Sequence, residues 1–159
     1  MQVKLQPVFF KRKHIMKEVE IFQSLNLALI SNAIYTLAIY FLLWVSLRAA
    51  RLAREGEERG GILPKILVSL FGLGVIYNGL VLGAFLRLNL SSAAKNLEGI
   101  KAAGEKLSPA AEAFLSVPMV SGAGELRFSL MPGPIMAVWW AVVVIMLLGI
   151  LWMPQKKKS

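Results

Sequence analysis

Residues 66–86 read ILVSLFGLGVIYNGLVLGAFL, 21 consecutive positions without a charged side chain. As an α-helix, at roughly 1.5 Å per residue, this stretch extends about 32 Å, the thickness of a bilayer's hydrocarbon core. In lipid every backbone amide must find its partner inside the segment, which leaves an α-helix as the conformation for a lone apolar run of this length. Pro64 stands just ahead of it, in a first-turn position where its missing N–H costs nothing. Two similar runs lie on either side. Residues 25–47 are free of charge over 23 positions, and residues 135–153 over 19, the latter bounded by Pro134 and Pro154. The expected fold class is an all-α integral membrane protein with three transmembrane helices.

Composition supports that assignment. The chain has 159 residues, of which 57% are hydrophobic and only 17% charged, and its mean hydropathy is +0.63. The charged fraction lies below the roughly 25% of soluble domains. The net charge is +9, from 18 Lys and Arg against 9 acidic residues, all of them Glu. In a soluble protein such a balance suggests nucleic acid. Here the cations instead flank the apolar runs: Lys11, Arg12, Lys13 and Lys17 before the first; Arg48, Arg51 and Arg54 after it; Lys156, Lys157 and Lys158 after the third. Charges so placed meet lipid headgroups and fix topology, and no nucleic-acid partner is expected. Trp44, Trp139, Trp140 and Trp152 fall towards the ends of runs, as interfacial aromatic anchors do, and together with Arg48, Arg51 and the three terminal lysines form the expected set of membrane-interface anchors. The terminal lysines also match a dilysine retrieval tail, should the host be eukaryotic.

The segments between the runs divide the chain further. Residues 1–20 form a basic leader whose Phe9–Phe10 pair and following cations suit either the membrane interface or a solvated tail. The first helix is expected over 21–54, a charged hairpin over 55–63, and the second helix from 64 to about 107. That length exceeds the bilayer because Leu90, Ala93, Leu97, Ile100, Gly104 and Leu107 recur at spacings of three and four, an amphipathic pattern continuing past the membrane. Residues 89–92 are polar enough to permit a bend. Ser108-Pro109 reads as an N-cap followed by proline at the first helical position, opening a short helix to about residue 115. Residues 117–134, rich in Pro and Gly, are expected as loop with a short extended piece near 125–130, and 154–159 as a basic tail.

The second run carries the most pointed signal. Gly79 and Gly83 form a GxxxG, and Gly72, Ile76, Gly79, Gly83 and Leu86 share one helix face with Leu90, Leu97, Ile100 and Leu107. Small residues four apart let another helix approach closely, so this face is expected either to dock a partner or to pack on the chain's own first or third helix. Asn78 is the polar residue in the middle of this run, and Asn32 is its counterpart in the first; an amide in hydrocarbon seeks a hydrogen bond, and the two are placed to meet as a helix clamp.

Signals for chemistry are sparse. The chain contains no Cys and one histidine, His14, in the basic leader. Thiolate chemistry and a histidine-rich metal site are thereby excluded. None of the three runs holds a carboxylate, Lys, Arg or His, the groups that proton relays and ion pathways use. Glu55, Glu57 and Glu58 lie between Arg54 and Arg59 as a charge-balanced hairpin. No enzymatic activity and no cofactor are expected. The function that fits is a non-catalytic accessory subunit of a larger membrane complex, with hetero-oligomeric partners favoured and lipid headgroups contacted at the interface. A self-assembling scaffold or sensor is the alternative; a small transporter or integral membrane enzyme is disfavoured. The expected setting is a bacterial inner membrane. Eight cations crowd into the hairpin 48–65 and the carboxyl tail, which places both in the cytoplasm by the positive-inside rule.

Overall fold

The computed structural model of the chain describes residues 6–55, 61–121 and 128–153, and for 6–16, 119 and 121 the backbone alone. The described residues are helical with short connections. Helix α1 is Gln6–Glu55, α2 is Leu63–Ala102, α3 is Pro109–Ser116, α4 is the single turn Pro118–Ser121, and α5 is Pro134–Trp152. Three of them, α1, α2 and α5, are long and apolar enough to cross a membrane.

Helix α1 has 50 residues and is about 75 Å long at 1.5 Å per residue. It takes in most of the basic leader, which is thus continuous in backbone with the first apolar run rather than a separate segment. The physical reason is plain in the sequence: after Pro7, itself in the first turn, there is neither Pro nor Gly until Gly56. A helix without a breaker and with good formers around its charges has no point at which to stop.

Helix α2 has 40 residues and ends at Ala102, short of the expected 107. Gly104 terminates it. Its φ is +79°, its N–H donates to the Lys101 carbonyl at 3.0 Å, and the Glu105 N–H donates to the Ile100 carbonyl at 3.3 Å. This pair of bonds is a Schellman cap, which needs a residue in the left-handed region that glycine occupies without strain. Gly104 is therefore a helix stop and not a position on the packing face, and Leu107 lies beyond the helix. The polar stretch 89–92 does not interrupt it: Ser91 Oγ donates to the Arg87 carbonyl one turn back at 2.8 Å, which satisfies the hydroxyl within the helix.

Two compact units make up the chain, Met1–Asn32 with Phe85–Phe128, and Ala33–Ala84 with Ser129–Ser159. Helices α1 and α2 contribute to both. In the first unit, Leu97 and Ile100 of α2 and Ala111 of α3 form a buried cluster against Ile21 and Phe22 of α1, with Leu107, Phe114 and Leu115 around it. Phe22 and Phe114 meet edge to face at 5.7 Å. Leu107 thus joins the apolar face as a loop residue folded back onto it. Ser108 caps α3 by accepting from the Ala111 N–H at 3.2 Å. Its own N–H donates to both carboxylate oxygens of Glu18 on α1, at 3.1 and 3.3 Å, and Glu18 is buried. A carboxylate at a helix N-terminus also meets the positive end of the helix dipole.

In the second unit three helices cover one another. Leu43, Ala50 and Ala53 of α1, Val75 and Ile76 of α2, and Val143, Leu147 and Leu151 of α5 form one buried cluster. The α5 positions recur every fourth residue, the spacing of a stripe facing its neighbours. Ser46 is fully buried within α1 and donates to the Leu42 carbonyl at 2.7 Å. The expected hairpin tip at 56–60, most of the extended piece at 125–130 and the tail 154–159 lie outside the described residues; Phe128, Ser129 and Leu130 have no regular structure.

Candidate helix-packing interface

Helix α2 presents two different faces in the second unit. On the inward face are Gly72, Val75, Ile76 and Gly79, all buried. A Cβ at Gly72 would overlap the Leu147 side chain, and one at Gly79 would overlap the Trp140 ring, with Ile39 Cγ2 at 3.4 Å on the other side. The small residues of the packing face are thus filled by the chain's own α5, as dispersion-driven helix association requires. Of the two occupants weighed from sequence, the intramolecular one holds these two positions. Gly83 is half-buried on the same side.

The opposite face carries Leu67, Leu70, Phe71, Gly74, Tyr77 and Asn78, and all are exposed. Nothing lies within 4 Å of the place a Cβ on Gly74 would take. Asn78 Nδ2 donates to the Gly74 carbonyl at 2.8 Å, within its own helix. Asn32 is half-buried on α1, in the other unit. An amide carries two N–H donors and an acceptor oxygen with two lone pairs, so this bond uses one N–H and leaves the other and the oxygen on an exposed side chain. Spacing alone separates these faces: positions 72, 75, 76 and 79 fall on one side of a 3.6-residue helix and 67, 70, 71, 74, 77 and 78 on the other. Gly74 shares no GxxxG spacing with the other glycines of the run, so that motif does not mark its face.

Cation–aromatic pairs occupy the ends of the second unit's helices. The Arg48 guanidinium lies 5.9 Å from the Trp44 ring centre, and Lys65 Nζ lies 5.8 Å from that of Trp152. Lys65 is buried, and Trp152 Nε1 donates to Ser69 Oγ at 3.1 Å. Such a side chain covers apolar surface with its methylenes and keeps its ammonium towards polar surroundings. Arg51 is exposed. Trp139 stacks edge to face on Trp140 at 4.7 Å and on Tyr40 at 5.9 Å, which joins α1 to α5. Trp140 accordingly packs against Gly79 rather than serving purely as an interfacial anchor. Lys156, Lys157 and Lys158 lie outside the described residues.

The first unit holds one feature that sequence reasoning missed. Ile21, Ser24, Leu25 and Ala28 of α1 and Asn89, Ser92, Ala93 and Asn96 of α2 line a crevice of about 90 Å³. Its volume and the polar side chains among its lining suit water. The signal was present in the spacing: Asn89, Ser92 and Asn96 fall at i, i+3 and i+7, on one helix face. The continuation of α2's apolar stripe is covered within this unit, Leu97 wholly and Ile100 nearly so, while Leu90 is half-buried.

Among the described residues no three His, Asp or Glu side chains converge as a metal ion would need. No protein family matches the chain, and neither a curated protein nor a solved structure is similar to it.

Proposed function

We propose that this chain is an integral membrane protein of three spans that serves as a non-catalytic accessory subunit in a larger membrane assembly, holding partner helices through the outward face of α2. The observation that carries the reading is the distribution of apolar exposure. The most apolar window of α1 is only 6% buried within the chain, that of α2 22% and that of α5 17%. Leu27, Ile34, Tyr35, Leu37, Phe41 and Trp44 of α1 are all more than half exposed. Apolar surface on this scale in water is a strong drive to associate; in a bilayer it is satisfied by lipid and by other helices. The glycine face already belongs to α5, so the contact surface of the second span is the side of Gly74 and Asn78. The cation-rich hairpin 48–65 and carboxyl tail face the cytoplasm, and the setting is a bacterial inner membrane.

Extraction from native membranes in a mild detergent tests the reading. A subunit migrates with its partners in a complex larger than its own 17.5 kDa. Migration as a free monomer overturns it. Because the chain has no Cys, single cysteines introduced by Ile62→Cys and Leu130→Cys report sidedness cleanly. The first is expected to be shielded from an impermeant thiol reagent in intact cells and the second labelled.

A further inference from the structure

We propose that the outward face of α2, centred on Asn78 and Gly74, docks the same face of a second copy of this chain. The inference rests on the reading that α2 crosses the bilayer and holds a partner through its open face, and it names that partner helix as the α2 of a second copy, so that a pair of these chains forms the core of the assembly. Residue 78 lies near the middle of the uncharged run 66–86, at the depth where water is scarcest. One N–H of its amide is used within the helix, on the Gly74 carbonyl, and the other N–H and the oxygen belong to an exposed side chain on a face that is apolar apart from the Tyr77 hydroxyl. In hydrocarbon these groups need a partner that both gives and accepts a hydrogen bond.

A second copy meets that requirement by symmetry. Two copies inserted with one topology are related by an axis along the membrane normal, so each residue faces its equivalent at the same depth. A two-fold interface is self-complementary, and an amide, with donor and acceptor together, closes on its own image. An unrelated helix would need a polar group placed independently at that depth. Gly74, one turn away, removes the bulk that would hold the two backbones apart, and the space over it is open. Phe71 and Tyr77, both exposed, flank the notch and supply contact area. A single polar residue in a helix seam is also a known means of fixing register, and Asn78 sets it here.

The test uses the full chain in phosphatidylcholine vesicles, with donor and acceptor dyes on copies carrying Ile62→Cys. Energy transfer that rises with protein density and is diluted away by unlabelled chain is expected. Asn78→Leu should weaken association by roughly 3-fold to 30-fold, the range of interhelical amide bonds in bilayers. Gly74→Leu, which fills the notch, should remove the transfer; Leu37→Ala, on the exposed face of α1, should leave it unchanged. Far-UV circular dichroism and resistance to alkaline extraction establish that each variant remains folded and inserted. A wild-type chain that stays in the vesicles but shows no transfer at any density overturns the second copy and leaves the three-span reading standing. So does an Asn78→Leu variant that associates as well as the wild type. A chain stripped from the vesicles by alkali overturns the spanning reading itself.

Discussion

Gly79 and Gly74 lie on the same helix, five residues apart, and Ala at these two positions should change stability in opposite directions. The Gly→Ala change removes backbone freedom from the unfolded chain and improves helix propensity by up to about 1 kcal/mol, and this gain is common to both sites. What differs is the space. At Gly74 the new methyl meets nothing within 4 Å. At Gly79 it overlaps the Trp140 ring, and Ile39 Cγ2 at 3.4 Å closes the other side. Trp140 has little room to yield, because it stacks on Trp139, which stacks in turn on Tyr40. Forcing a methyl into a filled site costs about 1–3 kcal/mol. The shared propensity term cancels in the comparison, so Gly79→Ala should be less stable than Gly74→Ala by about 1–3 kcal/mol. Gly72→Ala should fall between them, since the atoms in the way are the tips of Leu147. Reversible unfolding in detergent micelles, at dilutions where the chain is monomeric, measures this by circular dichroism and tryptophan fluorescence. Agreement between the Gly79→Ala and Gly74→Ala stabilities within about 0.5 kcal/mol would refute the packing of α2 against α5, because that difference is smaller than any overpacking cost.

Three further outcomes follow from the packing. Glu18→Ala removes both acceptors of the Ser108 N–H and should weaken the docking of α3 by about 1.5–3 kcal/mol, read as at least a tenfold loss of amide hydrogen-exchange protection in 109–116; Glu18→Gln, which keeps one acceptor, should lose less. Leu97→Ala opens a cavity beside Ile100 and Ala111 and should destabilise the first unit by about 2–5 kcal/mol, whereas Leu90→Ala, at a half-buried site, should cost clearly less; equal losses would contradict the burial pattern. Ser69→Ala removes the acceptor of the exposed Trp152 Nε1 and should cost no more than about 1 kcal/mol while shifting the Trp152 emission, measured with the other three tryptophans changed to Phe.

Much of the helical framework could be read from particular residues. The uncharged runs at 25–47 and 66–86 fall inside long helices, and 135–153 does so in all but its last residue, because a helix is the conformation that pairs every backbone amide without outside help. Ser108-Pro109 marked the start of α3, since both residues act through local geometry that no distant contact needs to supply. The extent of α1 is equally legible in the lack of Pro or Gly between residues 8 and 55, a local property that the charges of the basic leader do not alter. Gly104 was harder. It suits the three-four spacing of a packing face and a helix stop equally well, and only its φ of +79° with the two capping bonds separates these roles.

Where the apolar helices run, and that α2 has faces of different character, follows from neighbouring residues alone, because helix period and hydrophobicity are local properties. Which face turns inward was decided only in three dimensions. Gly72 and Gly79 offer a groove, and so does Gly74; the presence of a groove does not say which helix fills it. Leu147 and Trp140, some 60–75 positions further along the chain, took the first pair and left the side of Gly74 and Asn78 open. Packing is a relation between surfaces distant in sequence, and the pairing of α2 with α5 is what separates the chain's internal contact from the face left for another molecule.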